Sequence, residues 1–99
     1  MYKMIALFKQ PSDPVRFDDY YFHVHIPLTK KIPGLKDINI TKFKKGSPYY
    51  LMCEMVYESK EAFKVASQTP ESKESGKDVM NFAGNLVTFL FGEDVDDGK

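Results

Sequence analysis

Apolar residues fall along this chain in blocks whose spacing shifts from about two to about four and back, the signature of alternating strands and helices. Residues 1–9, MYKMIALFK, are a short apolar run closed by the breaker QPSDP, which predicts a strand. Ser12 or Asp13 is placed to cap a helix with Pro14 at its first position, where the missing N–H costs nothing. Phe17, Tyr21, Val24 and Leu28 then recur at spacings of four, three and four, the apolar face of that helix. Pro27 biases Ile26 away from helical geometry, so the pattern predicts a kink or end near His25, one more loose turn, and a stop at Pro33–Gly34.

Residues 36–43, KDINITKF, alternate polar and apolar, as a half-exposed strand does, and KKGSP supplies the turn. Residues 49–57, YYLMCEMVY, form the most apolar strand. Ser59 caps a short helix with Ala62, Phe63 and Ala66 inward, and Thr69–Pro70 caps a second that runs to about Met80. Residues 85–91, NLVTFLF, are the last strand, and GEDVDDGK reads as a frayed acidic tail, so the domain spans 1–92 and the tail 93–99. The order β-α-β-β-α-β is the ferredoxin-like arrangement of the α+β class, with helices on one face of an antiparallel sheet.

Three strands do not alternate as a sheet with one wet face should. Met4, Ala6 and Phe8 oppose Ile5 and Leu7; Met52 and Val56 oppose Leu51, Cys53 and Met55; Leu86 and Leu90 oppose Val87, Phe89 and Phe91. Two helices cover one face only. A second copy of the same sheet is the simplest cover for the other, which predicts a homodimer packed sheet to sheet into a barrel.

Composition narrows the function. With 99 residues the chain is one domain, and 14 basic residues balance 14 acidic ones, which argues against nucleic acid or an anionic membrane as partner. Cys53 is the sole cysteine and sits in an apolar run, so it reads as a buried, inert thiol without a disulfide. With no leader-like segment and no apolar run of membrane-spanning length, the chain reads as cytoplasmic. Metal-ligand spacings, phosphate loops and dinucleotide fingerprints are missing, so the expected chemistry uses no built-in cofactor.

The order of elements, together with LFKQPSDPVRFDDYYFHVHIPLTKKIPGL, PYYLMCEMVYES, DVMNFAG and VTFLFGE, resembles the EthD family of dimeric α+β-barrel proteins, from the first strand to Gly92. The family shows a histidine, one spacer, Pro-Leu and a Pro-Gly stop; His25, Pro27, Leu28, Gly34, Asp78, Asn81 and Phe82 map onto its pattern, whereas His23 has no counterpart. The resemblance implies a ferredoxin-like protomer, a barrel built by two sheets, and a cavity between sheet and helices for a small apolar or aromatic molecule. The family takes its name from ether degradation, in which a haem monooxygenase performs the oxidation. Proteins of the same fold include cofactor-independent quinone-forming monooxygenases, lactone isomerases and polyketide cyclases, and fold alone does not choose among these.

His25 lies at the edge of the apolar stripe and His23 on the opposite side, so the two cannot chelate one metal. His23 reads as a solvated surface residue. His25, partly buried near a helix end, is either a general acid or base at a cavity edge or a donor to a carbonyl freed by Pro27. Glu54, the one charge in LMCEMV, shares a face with Tyr50, Met52 and Val56 by alternation. It either reaches a barrel rim or a basic partner, or it lines the cavity and orients His25. Tyr21 and Tyr50 are core aromatics or present hydroxyls to a phenolic ligand. Asp78 and Asn81 hold a turn or touch a ligand. Ser72, Gly76, Val79 and Ala83 share one helix face, which packs close to the sheet or leaves a void. Two functions follow: a cofactor-free enzyme oxygenating, isomerising or cyclising a small aromatic compound, with catalytic His25 and Glu54 and with Tyr21, Tyr50, Asp78 and Asn81 at the ligand; or a non-catalytic carrier serving a partner oxidase. Haem handling gains little support from a lone His25 at a kink.

Overall fold

The computed structural model describes residues 1–95; residues 96–99 of the expected tail lie outside the described residues. Four strands, β1 (Tyr2–Lys9), β2 (Asp37–Lys42), β3 (Tyr49–Tyr57) and β4 (Val87–Glu93), form one antiparallel sheet in the order β2-β3-β1-β4. The protomer's sheet is open, with β2 and β4 at its edges. The helices are α1 (Pro14–Tyr20), a π-helical turn (Tyr21–His25), α2 (Ile26–Thr29), α3 (Lys60–Ser67) and α4 (Pro70–Ala83). This is the ferredoxin-like α+β arrangement the pattern predicts.

The caps are those the sequence marks. Asp13 Oδ1 accepts from Arg16 N at 3.1 Å with Pro14 in the first turn, Ser59 Oγ accepts from Ala62 N at 3.0 Å, and Thr69 Oγ1 accepts from Ser72 N at 3.2 Å. Each such cap stabilises its helix by about 1 kcal/mol. Gly34, with φ of 85°, turns the chain after α2 in a conformation that favours glycine.

Two boundaries differ from expectation. Helix α4 continues to Ala83 rather than stopping near Met80, which shifts the last strand to Val87–Glu93. Glu93 is therefore paired with Tyr2, and Asp94 N donates to Met1 O, so the sheet extends into the start of the predicted tail.

The largest departure lies between α1 and α2. The chain keeps its helical course through Pro27 but widens by one residue, and Ile26 N–H donates to Tyr21 O, five positions back. The wider turn spares the Pro27 ring the carbonyl four residues before it, against which a regular α-helix would drive it. It also rephases the inner face. Phe17, Tyr21, His25 and Thr29 are buried, while Val24, predicted to face inward, is 41% exposed. His25 is thus a buried residue at 7% exposure, rather than one at the stripe's edge.

Beneath the helices Phe8, Phe17 and Tyr21 pack at ring-centroid distances of 5.4–5.5 Å, continuous with Leu51, Cys53, Met55 and Tyr57 of β3. Among the described residues, no helix lies over the opposite face of the sheet. Cross-strand pairs place Ile5 beside Leu90 and Glu54, Leu7 beside Met52, and Lys3 beside Val56 there. Asp37, Asn39 and Thr41 of β2 form its polar margin.

Candidate functional site

Helix α4 crosses the π-helical turn and α2, and this crossing joins residues far apart in sequence. Asp78, two turns into α4 from its capped start, presents both carboxylate oxygens to the first helical segment. His25 Nδ1–H donates to Oδ2 at 2.9 Å, and Tyr20 O–H donates to Oδ1 at 2.5 Å. A carboxylate acceptor at Nδ1 places the imidazole proton there and leaves Nε2 as the acceptor. Among the described residues Nε2 meets only Thr29 Oγ1, at 3.4 Å, a long contact, because Thr29 O–H donates to the His25 carbonyl at 3.2 Å. Ser75 Oγ lies 2.7 Å from Thr29 Oγ1. Phe82 and Tyr21 flank the imidazole, with centroids at 5.2 Å and 5.6 Å.

His25, Thr29 and Ser75 make the polar wall of a cavity of about 50 Å³ between the helices and the sheet. Its floor is the apolar side of β1, β3 and β4, with Met4, Ala6, Phe8, Cys53, Met55 and Phe89. The space takes a few waters or the small end of a ligand, well under the ~300 Å³ at the lower limit for sites that enclose a whole drug-sized molecule. An open groove of about 640 Å³ runs between the start of α1 and the end of α4 but does not include His25.

Burial pushes the His25 pKa below the ordinary 6.5, and hydrogen bonding and charge from Asp78 oppose this without reversing it. The imidazole is therefore neutral near neutral pH, as a proton acceptor must be. Burial raises Tyr21 far above the usual phenol range, with the Cys53 thiol adding to it. The hydrogen bond to Asp78, followed by burial, raises Tyr20.

The EthD domain pattern matches residues 9–85. A protein of Rhodococcus erythropolis, described as an uncharacterized 11.0 kDa protein in the thcB-thcC intergenic region, is 35% identical over 92% of each chain. The crystal structure of an EthD family protein of Bacillus halodurans C-125 is 48% identical and superposes with a TM-score of 0.92, covering 96% of this chain and 99% of that one. This chain belongs to the EthD family. SnoaB of Streptomyces nogalater, a cofactor-independent oxygenase, is 14% identical with a TM-score of 0.66 over 99% of this chain and 94% of its own, and so shares the fold alone with this EthD domain.

In this EthD chain, His25, Tyr21 and Asp78 come together, the first two lining the cavity and the third behind the imidazole. The other three residues singled out from the sequence lie elsewhere. Glu54 projects from the opposite face of the sheet, where its carboxylate is 3.5 Å from Lys3 Nζ, so it does not orient His25. Tyr50 does not share that face. A register shift between Phe8 and Lys9 turns it to the helix side, where it packs on Phe17 and donates to Asp18 Oδ1 at 2.7 Å under Lys42. Asn81 is exposed on α4. His23 is exposed and bonds to Asp19, as expected of a surface residue.

Tyr20, Thr29 and Ser75 were missed by sequence reasoning. Nothing in helical periodicity marks Tyr20 as the partner of a residue 58 positions away, although Ser75 follows from the same α4 face as Ser72 and Val79.

The lowered His25 pKa carries a stability consequence. As pH falls below about 6.5, the unfolded chain takes up this proton before the folded one does. Stability is therefore complete above that pH, declines as pH drops toward the folded value, and levels off beneath it. Asp78, Tyr20 and Tyr21 are the titratable groups that face the ring. Urea midpoints followed from about pH 8 to about pH 5 should show this decline, and His25→Gln should flatten it.

Proposed function

We propose that this EthD protein takes the narrow reactive end of a small hydrophobic or aromatic compound into the cavity, where His25 Nε2 removes a proton. The Asp78–His25 hydrogen bond beside that cavity carries this reading. It sets the tautomer, leaves Nε2 poorly partnered, and balances the imidazolium that forms when the proton arrives. Tyr20 holds the second carboxylate oxygen, so Asp78 is fixed when the charge develops. Thr29 and Ser75 stand on the same wall, and one of their hydroxyl protons, now held within the protein, would turn to a developing enolate or phenolate oxygen. Return of the proton to another atom completes an isomerisation or cyclisation, and attack of the carbanion on dioxygen begins an oxygenation. Neither route calls on a resident cofactor. The oxygenase description of SnoaB supports the fold's fitness for such chemistry by analogy.

The protein works as a homodimer in this reading, its open sheet face covered by a second copy. Ile5, Leu7 and Met52 are apolar neighbours there, with Leu90 46% exposed beside Ile5, and the Lys3–Glu54 pair bounds them on one side.

A carrier reading is favoured by one observation: among the described residues, every buried side-chain nitrogen and oxygen has a partner, Nε2 through its long contact to Thr29, so the cavity wall holds together without a reactant. A panel of phenols, quinols and enolisable ring ketones, followed by protein NMR and by turnover under air and under nitrogen, separates the two. Turnover with shifts at His25 supports the enzyme, saturable binding without turnover supports the carrier, and absence of any binding at the cavity overturns both.

A further inference from the structure

We propose that Gly76 is the doorway of the His25 cavity and filters ligands by the width of the part that enters. Among the residues that line the cavity, Gly76 alone is exposed; the others are buried or half-buried. In this reading the opening is at the middle of α4, between the turn of Ser72 and that of Val79.

The usual reasons for a glycine do not apply at this position. Its backbone is not among the positive-φ glycines, which are Gly34 and Gly46. No close neighbour demands a missing side chain either, since a Cβ built on Gly76 meets nothing within 4 Å. Inside a helix of 14 residues, glycine is disfavoured against alanine because it loses more backbone freedom on folding. What remains is the space itself, which any larger side chain would occupy at the mouth.

The cavity behind is about 50 Å³, so a ligand that reaches Nε2 does so with a slender head and leaves its bulk outside, over α4. In ligand terms this deepens the proposed function and rests on it. The access route does not, because the cavity holds its own reporter: Cys53, the sole cysteine, is 3% exposed and forms part of the floor.

Labelling of Cys53 by methyl methanethiosulfonate and by its wider benzyl analogue tests this on the full chain. Gly76→Leu should slow labelling by at least about tenfold, more for the benzyl reagent, while Gly76→Ala stays within about threefold of wild type. Both variants favour the helix, so urea unfolding of each gives the slowing expected if labelling passes through opening of the fold. Slowing in Gly76→Leu beyond that expectation, graded by reagent width, supports the doorway. Slowing that follows stability in both variants, or that ignores reagent width, or no slowing at all, overturns it. Labelling reads access and turnover reads proton transfer, so a failure of the acid–base reading and a failure of the doorway give different results.

Discussion

Replacing His25 with Gln should lower turnover of any substrate drawn from the aromatic panel by about 10²–10⁴-fold, the usual contribution of a positioned base. Glutamine keeps most of the ring's volume and a donor toward Asp78, so the cavity and the helix crossing persist and the loss falls on proton transfer. The pH profile adds a second signature. The base works only when neutral, and burial holds its pKa below 6.5, so activity should persist to a more acidic pH than an ordinary imidazole allows. Asp78→Asn should also slow turnover, because an amide can donate to Nδ1 and so move the ring proton to Nε2, the atom that must accept. Wild-type turnover in His25→Gln, measured beside an unchanged urea midpoint at about pH 8, would make His25 a structural residue and leave the carrier reading.

The fold was legible in the sequence to a greater depth than the site, for identifiable reasons. Strand runs and the caps at Asp13, Ser59 and Thr69 are local patterns; the caps and β1 to β3 are found where the pattern puts them to within one residue, while β4 begins two residues late because α4 runs on to Ala83. The site depends on three non-local or irregular features. The first is the π-helical turn, which a fixed helical period cannot anticipate; it moves Val24 out and brings His25 and Thr29 in. Pro27 does disturb the helix, but its relief is a widened turn rather than a kink. The second is the register shift opposite Tyr50, which sends Tyr50 and Glu54 to different sides where simple alternation keeps them together. The third is the crossing of α4 over the first helical segment, which pairs His25 with Asp78 and Asp78 with Tyr20 across 53 and 58 positions. Asp78 entered by family resemblance and as a turn former. Its role behind the imidazole needed the tertiary packing.

Leu90→Glu should convert a sheet-to-sheet dimer into a monomer while sparing the protomer fold. Leu90 is 46% exposed on the protomer and lies on the face away from the helices, opposite Ile5, so the substitution touches none of the core beneath α1 and α4. A two-fold interface places the new carboxylate twice in the contact, among Ile5, Leu7 and Met52; the described basic side chains on that face of β1 are Lys3 and, four residues along the strand from Ile5, Lys9. Lys3 is already held between Glu54 at 3.5 Å and Asp94 at 3.0 Å. An unpaired buried charge costs several kcal/mol, and two of them should raise the dissociation constant at least about 10³-fold. Light scattering at micromolar concentration then reads twice the protomer mass for wild type and the protomer mass for the variant, with far-ultraviolet circular dichroism unchanged. A wild-type protein that is monomeric under those conditions would mean that the apolar face stands open, and the barrel implied by the family resemblance would not form. The pairing also bears on the cavity. The floor strands β1 and β3 would be clamped from both sides, so the monomeric variant should label faster at Cys53 even with the Gly76 opening unaltered.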